Sequence, residues 1–254
     1  MRATRIRYNE DMDKEITYYR LDVIDSTSTH AARILSEQED VFCVSAKVQK
    51  EGRGRAHRAF FSPIGGLYFT LGIPESFDHP VAIYAGVGIR KAILQTFGVS
   101  VAFKWVNDLI YRDGKVGGIL CEKKTDRSGK LWTLIGAGIN VFSDVENSEF
   151  SRVARSLKIE NADLDLFLIA CVREILDALE KPWEDVLAEY RNHMMLIGKT
   201  IEFECENKMR LGRVLAVESD GALLVECDGG SLRLSCGEVS LNSERILKPS
   251  NADF

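Results

Sequence analysis

Proline is scarce in this chain of 254 residues: there are five, and none lies inside the two longest stretches of helical apolar periodicity. No apolar run approaches the ~18 residues that a membrane-spanning helix needs. The N-terminal stretch MRATRIRYNEDMDKE lacks the apolar centre of a signal peptide, so neither an anchor nor a secretory leader is expected. The six cysteines, at 43, 121, 171, 205, 227 and 236, include no C-x-x-C pair, and the four histidines are scattered. That excludes zinc-ligand spacing, predicts no resident metal, and fits reduced, packed thiols in a cytoplasmic protein. No G-x-x-x-x-G-K-[ST] loop, G-x-S-x-G elbow or H-E-x-x-H helix is present. The common phosphate-loop, serine-hydrolase and zinc-protease chemistries are thereby removed. A net charge of −5 gives no reason to expect a nucleic-acid or membrane partner, and it makes any local basic cluster conspicuous.

Behind a polar N-terminal tail, Ile16 to Ile24 reads as a strand entering a turn at Asp25. Ser26 is placed as the N-cap of a short amphipathic helix carrying Ala31, Ala32, Ile34 and Leu35. Val41 to Val48 is a second strand, and Gln49 to Gly66 has no clean periodicity and reads as a long loop. Long loops in compact domains are usually either functional or disordered. Leu67 to Ile73 resumes as a strand and Val81 to Phe97 as a buried helix. Four further strands follow, at Val101 to Lys104, Asp108 to Tyr111, Val116 to Lys124 and Leu131 to Val141, with a hairpin turn at Asp113-Gly114. Leu164 to Leu179 and Trp183 to His193 are helices, the second opened by Pro182. Strands broken by helices without strict β-α-β alternation predict a mixed α+β fold. Composition changes near Gly198, where IEFEC, RLGRVLAVE, ALLVEC and SLRLSC alternate with Gly and Asp-Gly turns. The division predicted is a unit over residues 1–197 and a small all-β, SH3-like barrel over residues 198–254.

Three segments carry candidate chemistry. Gly52-Arg53-Gly54-Arg55, with Arg58 following, crowds the long loop with charge, and Lys47 and Lys50 add to it. Arginines donate bidentate hydrogen bonds to carboxylate or phosphate, and glycines let backbone N–H groups approach an anion. Taken alone, this loop reads equally as such an anion-binding site or as a segment that is merely solvated or an RNA-binding arginine-glycine stretch. Lys104-Trp105-Val106-Asn107-Asp108 and the downstream Lys115-Val116-Gly117-Gly118 could hold a triphosphate and stack a base; alone, they read as a hairpin with a core tryptophan. Gly136-Ala137-Gly138-Ile139-Asn140 puts small residues on a strand able to lie beneath a ligand.

The order and spacing of these segments resemble one family. Asp25-Ser26-Thr27, Gln49 with Gly52–Arg58, Ser62-Pro63, Lys104–Leu109, Lys115–Glu122 and Gly136–Val141 look like the serial motifs of biotin protein ligases. Gly221–Glu226 and Gly237-Glu238-Val239-Ser240 look like that family's C-terminal SH3-like domain. The resemblance implies a mixed-sheet catalytic domain of the biotin/lipoate protein ligase type. It implies an enzyme that adenylates biotin with ATP and passes it to a carrier lysine.

What it implies for single residues is specific. Ser26, Thr27, Ser28 and Gln49 match positions against the biotin ring and its ureido group, and Gly52 and Gly54 match backbone positions in the loop that covers biotin. Arg53 and Arg55 match arginines beside the carboxylate and α-phosphate, with Arg58 and Lys104 expected on the ATP side. Lys115 matches the lysine that contacts carboxylate and phosphate, and Gly117 and Gly118 match positions against the valeryl chain. Trp105, Asn107 and Asn140 match the nucleotide side, where the triphosphate carries Mg²⁺. Asp108 matches an aspartate linked to deprotonation of the acceptor lysine. Three positions depart from the pattern: Val106 replaces proline, Ser28 replaces asparagine, and Phe60 replaces tryptophan.

The resemblance names the biotin carboxyl carrier protein as partner and allows a monomer or a homodimer. Lipoate ligases, which share the fold, are the nearest rival; the arginine loop, the K-W-x-N-D segment and the SH3-like tail together favour biotin. Some relatives carry an N-terminal DNA-binding unit. The polar stretch ahead of Ile16 is too short for a winged helix, so no DNA binding is expected.

Overall fold

The computed structural model describes residues 2–9, 12–148, 150–205, 208–235 and 239–241. Eight strands form the main sheet: β1 (Arg2–Asn9), β2 (Met12–Ile24), β3 (Phe42–Gln49), β4 (Gly66–Ile73), β5 (Ala102–Lys104), β6 (Asp108–Tyr111), β7 (Gly114–Thr125) and β8 (Leu131–Asn140). Their order across the sheet is β1-β2-β3-β4-β8-β7-β6-β5. Among these strands only β2 and β3 run parallel, joined through helix α1 (Thr27–Ile34); the other pairs are antiparallel, which makes the sheet mixed as expected. Helices α2 (Val81–Phe97), α3 (Leu164–Leu179) and α4 (Trp183–Asn192) complete this part. The second sheet is antiparallel, in the order β12-β11-β10-β9-β13, from β9 (Thr200–Cys205), β10 (Lys208–Val217), β11 (Leu223–Cys227), β12 (Gly230–Leu234) and β13 (Val239–Leu241). That meander is consistent with an SH3-like module. Cys236, Gly237 and Glu238, singled out in the sequence, lie outside the described residues.

Helix α2 is apolar nearly all round because it is covered nearly all round: one side meets the sheet through Phe103 and Ile119, and Gly88 lets the backbone of α3 close in at Glu174. A Cβ at residue 88 would lie 2.6 Å from the Glu174 carbonyl oxygen, so the helix crossing depends on glycine there. The apolar core continues without a break from Leu71, Ile83 and Phe167 to Ile201, Phe203 and Val214 of the second sheet. Five cysteines (43, 121, 171, 205 and 227) are free thiols. Burial pushes the Cys121 thiol up to about 12, so it is a packed, unreactive group.

Two expectations are corrected here. The N-terminal residues read as a polar tail form β1, paired antiparallel with β2 from Arg2 opposite Arg20 to Arg7 opposite Glu15. An edge strand needs a partner strand more than an apolar face, and the R-A-T-R-I-R run offers no apolar alternation to detect. The β6–β7 hairpin turns at Arg112-Asp113, one residue earlier than read, since Tyr111 pairs with Gly114 and Arg112 takes the left-handed φ of 52°. Ser26 does occupy the N-cap of α1, but its side chain makes no capping bond; its N–H instead donates to Asp25 Oδ1 at 2.8 Å.

Candidate active site

A cavity of about 980 Å³ opens over the middle of the main sheet, between α1, the long loop after β3, and the loop after β8. Its size is that of a site for a ligand larger than a single small metabolite. It is lined by Arg53, Arg55, Arg58, Lys104, Arg112, Lys115, Arg152 and Arg155 against Asp108 and Asp113. Eight cations against two carboxylates, in a chain of net charge −5, point to a polyanionic occupant.

At one end the lining is neutral and pre-organised. Gln49 Oε1 accepts from the Thr27 N–H at 2.8 Å and from the Thr27 hydroxyl at 3.0 Å, while its Nε2 donates to Ser62 Oγ at 2.9 Å. Thr70 donates to Thr27 Oγ1 at 2.9 Å, and Ser28 shares a 3.3 Å contact with Thr70. Hydroxyls held in such a chain present fixed donors and acceptors, which suits a small neutral polar ring. Gly52 sits beneath the loop, where a Cβ would fall 2.2 Å from the Phe60 carbonyl oxygen. The loop itself is an irregular hairpin: Gly54 donates to the Arg58 carbonyl at 2.8 Å, and Phe60 to that of Gly52 at 2.8 Å.

The middle of the floor is made of backbone. Gly118 and Gly138 face each other across β7 and β8, and the Phe60 ring lies on them. Lys115 Nζ stands 5.9 Å from the centre of that ring and pairs with Asp108 Oδ1 at 2.7 Å. Lys115 and Gly118 both reach the cavity because β7 is bulged: consecutive Leu109 and Ile110 pair with Gly117 and Lys115. One extra residue reverses the side-to-side alternation. Gly117, the neighbour of Gly118 in regular register, faces the other side of the sheet, toward Leu109 Cδ1 and the Gly138 carbonyl, and does not line the cavity.

At the other end, Asn107 Nδ2 donates to the Ile119 carbonyl at 2.8 Å, and its Oδ1 accepts from Arg55 Nη1 at 3.2 Å, tying the long loop to the β5–β6 link. The peptide between Trp105 and Val106 is cis. Asn140 Nδ2 donates to the Arg155 carbonyl at 3.0 Å, while its buried Oδ1 has no hydrogen-bond partner among the described residues. The loop after β8 is stitched to Lys115 by two backbone bonds, Lys115 N–H to the Val153 carbonyl and Arg155 N–H to that of Lys115.

Of the residues proposed from sequence, Ser26, Thr27, Ser28, Gln49, Arg53, Gly54, Arg55, Arg58, Lys104, Trp105, Asn107, Asp108, Lys115, Gly118 and Asn140 line this one cavity; Gly52 and Gly117 do not. Lys47 pairs with Asp22 at 2.7 Å, outside it. Sequence reading missed Arg112, Arg152 and Arg155, and it noted Phe60 only as a departure from the family pattern. The stacked pair Phe61–Phe150, with centroids 5.6 Å apart, joins the two loops and was also missed. The loop after β8 has no periodicity, and only its bonds to a distant strand bring it to the site.

Residues 21–140 match the biotin/lipoate A/B protein ligase family. The chain is 31% identical over 235 residues to the bifunctional ligase/repressor BirA of Escherichia coli (strain K12), covering 88% of this chain and 73% of that one. The fold matches that of the Aquifex aeolicus biotin protein ligase in complex with biotin and ATP, with a TM-score of 0.77 at 24% identity over 89% of this chain and 98% of that one. It also resembles the Leishmania major biotin protein ligase in complex with biotinyl-5-AMP, with a TM-score of 0.59 at 25% identity over 86% and 98%. On fold, motifs and relatives together, the chain belongs to the biotin protein ligases of the biotin/lipoate A/B protein ligase family.

Proposed function

We propose that this chain condenses biotin with ATP to biotinyl-5′-adenylate and pyrophosphate, then transfers the biotinyl group to a lysine of a biotin carboxyl carrier domain. The observation that supports this most is the grading of one cavity, from a neutral hydroxyl–amide network, across a glycine floor, to a cluster of cations. The ureido ring would sit against Ser26, Thr27, Ser28 and Gln49, with the aliphatic chain passing beside Phe60 over Gly118. ATP enters as its Mg²⁺ complex, the ion belonging to the substrate, and its phosphates meet Arg53, Arg55, Arg58 and Lys104. Asn107 and Asn140 face the nucleoside side.

The carboxylate oxygen attacks the α-phosphorus, a P–O bond to pyrophosphate breaks, and no enzyme nucleophile is involved. Arg53, Arg55 and Lys115 then act electrostatically, holding two anions together and stabilising charge as it builds on the phosphate. In the second step a neutral lysine amine attacks the anhydride carbonyl and AMP leaves. In this reading Asp108 takes the amine's proton, a role supported by its lining the same cavity, where it pairs with Lys115 at 2.7 Å. The division near Gly198 is kept in this reading, the first unit supplying the adenylating groups and the second closing one side through Val239, Ser240 and Leu241. Among the described residues no helix is long and apolar enough to cross a membrane, and the free thiols support a cytoplasmic location. Biotin-dependent exchange of labelled pyrophosphate into ATP tests the first step. Exchange with biotin and none with lipoate is expected; exchange with lipoate alone would transfer the fold to a different substrate, and exchange with neither would refute adenylation.

A further inference from the structure

Trp105 lies between Lys104 and Asn107 in the link from β5 to β6, and it is 4% exposed. Its indole N–H donates to the Gly221 carbonyl at 2.9 Å, in the turn between β10 and β11 of the second sheet. The same link is held from another side, where the Tyr190 hydroxyl donates to the Val106 carbonyl at 3.2 Å and the Tyr190 ring stacks on Phe103. The far turn is itself immobilised: Trp183 donates to the Ser219 carbonyl, Arg191 Nε donates to that of Val217 at 2.7 Å, and Gly221 donates to that of Glu218 at 3.0 Å. Gly221 adopts φ +87°, and a Cβ there would lie 2.8 Å from Ile83, so both its conformation and its seat require glycine. Two residues beyond Trp105, Asn107 receives Arg55 from the long loop.

We infer that Trp105 is a positioning residue through which the second sheet holds the Lys104–Asp108 link, and with it the Arg55 contact, in register at the phosphate end of the cavity. The hydroxyl–amide network around Gln49 closes within α1, β3, β4 and the long loop, away from that turn. Disturbing the bracket therefore perturbs ATP and leaves biotin alone. This role rests on the adenylating activity proposed above.

Two substitutions approach the bracket from opposite ends. Trp105→Phe keeps an aromatic ring and leaves the buried Gly221 carbonyl without its donor; Gly221→Ala displaces the acceptor from the other sheet. For each, a roughly tenfold rise in KM for ATP in pyrophosphate exchange is expected, from the loss of one buried hydrogen bond. Biotin binding measured without nucleotide stays at the wild-type value. A structural role alone would lower thermal stability with both KM values unchanged, and that result, or equal loss of biotin and ATP, overturns the inference. Should either variant fail to fold, the indole N–H of the wild-type chain decides: its nitrogen-15 resonance is expected to move with a non-hydrolysable ATP analogue and not with biotin. An unmoved resonance overturns the role. A wild-type chain without biotin-dependent exchange refutes the activity instead, and the indole response to nucleotide still tests the bracket.

Discussion

A single added methyl group at residue 138 gives a sharp test of the glycine floor. Gly138 pairs with Tyr68 on β4 and with Gly118 on β7, in the centre of the sheet, with its open face under the Phe60 ring. A Cβ built there would stand 2.4 Å from Phe60 Cε1 and 2.7 Å from Cζ. Ordinary carbon contacts begin near 3.4 Å, so the ring must retreat by ~1 Å. The atoms struck are the far end of one side chain on a loop, so the fold can yield; the thermal midpoint should fall by no more than ~2 °C. The effect on function is larger, because the ring adjoins Lys115 Nζ and ends the segment that carries Arg53 and Arg55. Misplacement of that order costs up to ~100-fold in rate. We expect Gly138→Ala to lower kcat/KM for biotin in pyrophosphate exchange by ~10- to ~100-fold, equal to about 1.4–2.7 kcal/mol of transition-state stabilisation. Shortening the obstructing residue in the double variant Gly138→Ala/Phe60→Leu should return part of the loss, a coupling that independent sites would not show. Wild-type kinetics for Gly138→Ala would refute the placement of Phe60 over the substrate. A collapse in stability with unchanged kinetics in the folded fraction would make the glycine a packing residue only.

Other outcomes follow from the same geometry. Lys115→Ala removes the cation shared by both anions and leaves Asp108 without its 2.7 Å partner, and should slow adenylate formation by ~100-fold or more; a near-normal rate of pyrophosphate release would contradict that assignment. Arg55→Gly cuts the tie to Asn107 and should let reactive adenylate escape, so that bystander proteins become labelled; mass spectrometry finding only carrier-specific labelling would count against the loop's role. Asn140→Leu deletes the unpartnered buried Oδ1 and the bond to Arg155, and should raise KM for ATP by about tenfold with biotin binding unchanged; an unaltered KM would remove Asn140 from the nucleotide side. Asp126, in the β7–β8 turn, accepts from the Ser128 hydroxyl at 2.6 Å, and further bonds from Trp132, Lys130 and Ser128 help hold its carboxyl at about 2 against an ordinary 3.8. Because the folded value is depressed, its stabilisation is present above about pH 4 and is lost as pH falls toward about 2. The gap in thermal midpoint between wild type and Asp126→Asn should close over that window, and a gap independent of pH would refute the reading.

Much of the fold was legible because its signals are local. Helices α2 and α3 read to their observed ends: apolar spacing fills them, Gly98 stops the first in a left-handed C-cap, and Asp163 caps the second by accepting from Asp165 and Leu166. Features set by distant partners were not legible. β1 exists because β2 offers it an edge, and the loop after β8 reaches the site because Val153 and Arg155 bond to the backbone of Lys115. Gly117 and Gly118 are adjacent on β7 and so face opposite sides of the sheet; they were given one role, yet only Gly118 lines the cavity, while the bulge at Val116, which brings Lys115 to the same side as Gly118, leaves no mark in the residue pattern. Trp105 reads plausibly as a stacking platform until its N–H is found on the other sheet, more than a hundred residues along the chain.

The most direct test is the complete reaction: the purified chain, ATP with Mg²⁺, biotin, and a biotin carboxyl carrier domain, followed by intact-mass and peptide mapping. The result expected is one biotinyl group on one carrier lysine, dependent on both ATP and biotin and absent when lipoate replaces biotin. A carrier left unmodified while the chain still turns over pyrophosphate would contradict the transfer step, and lipoyl transfer in place of biotinyl would contradict the substrate.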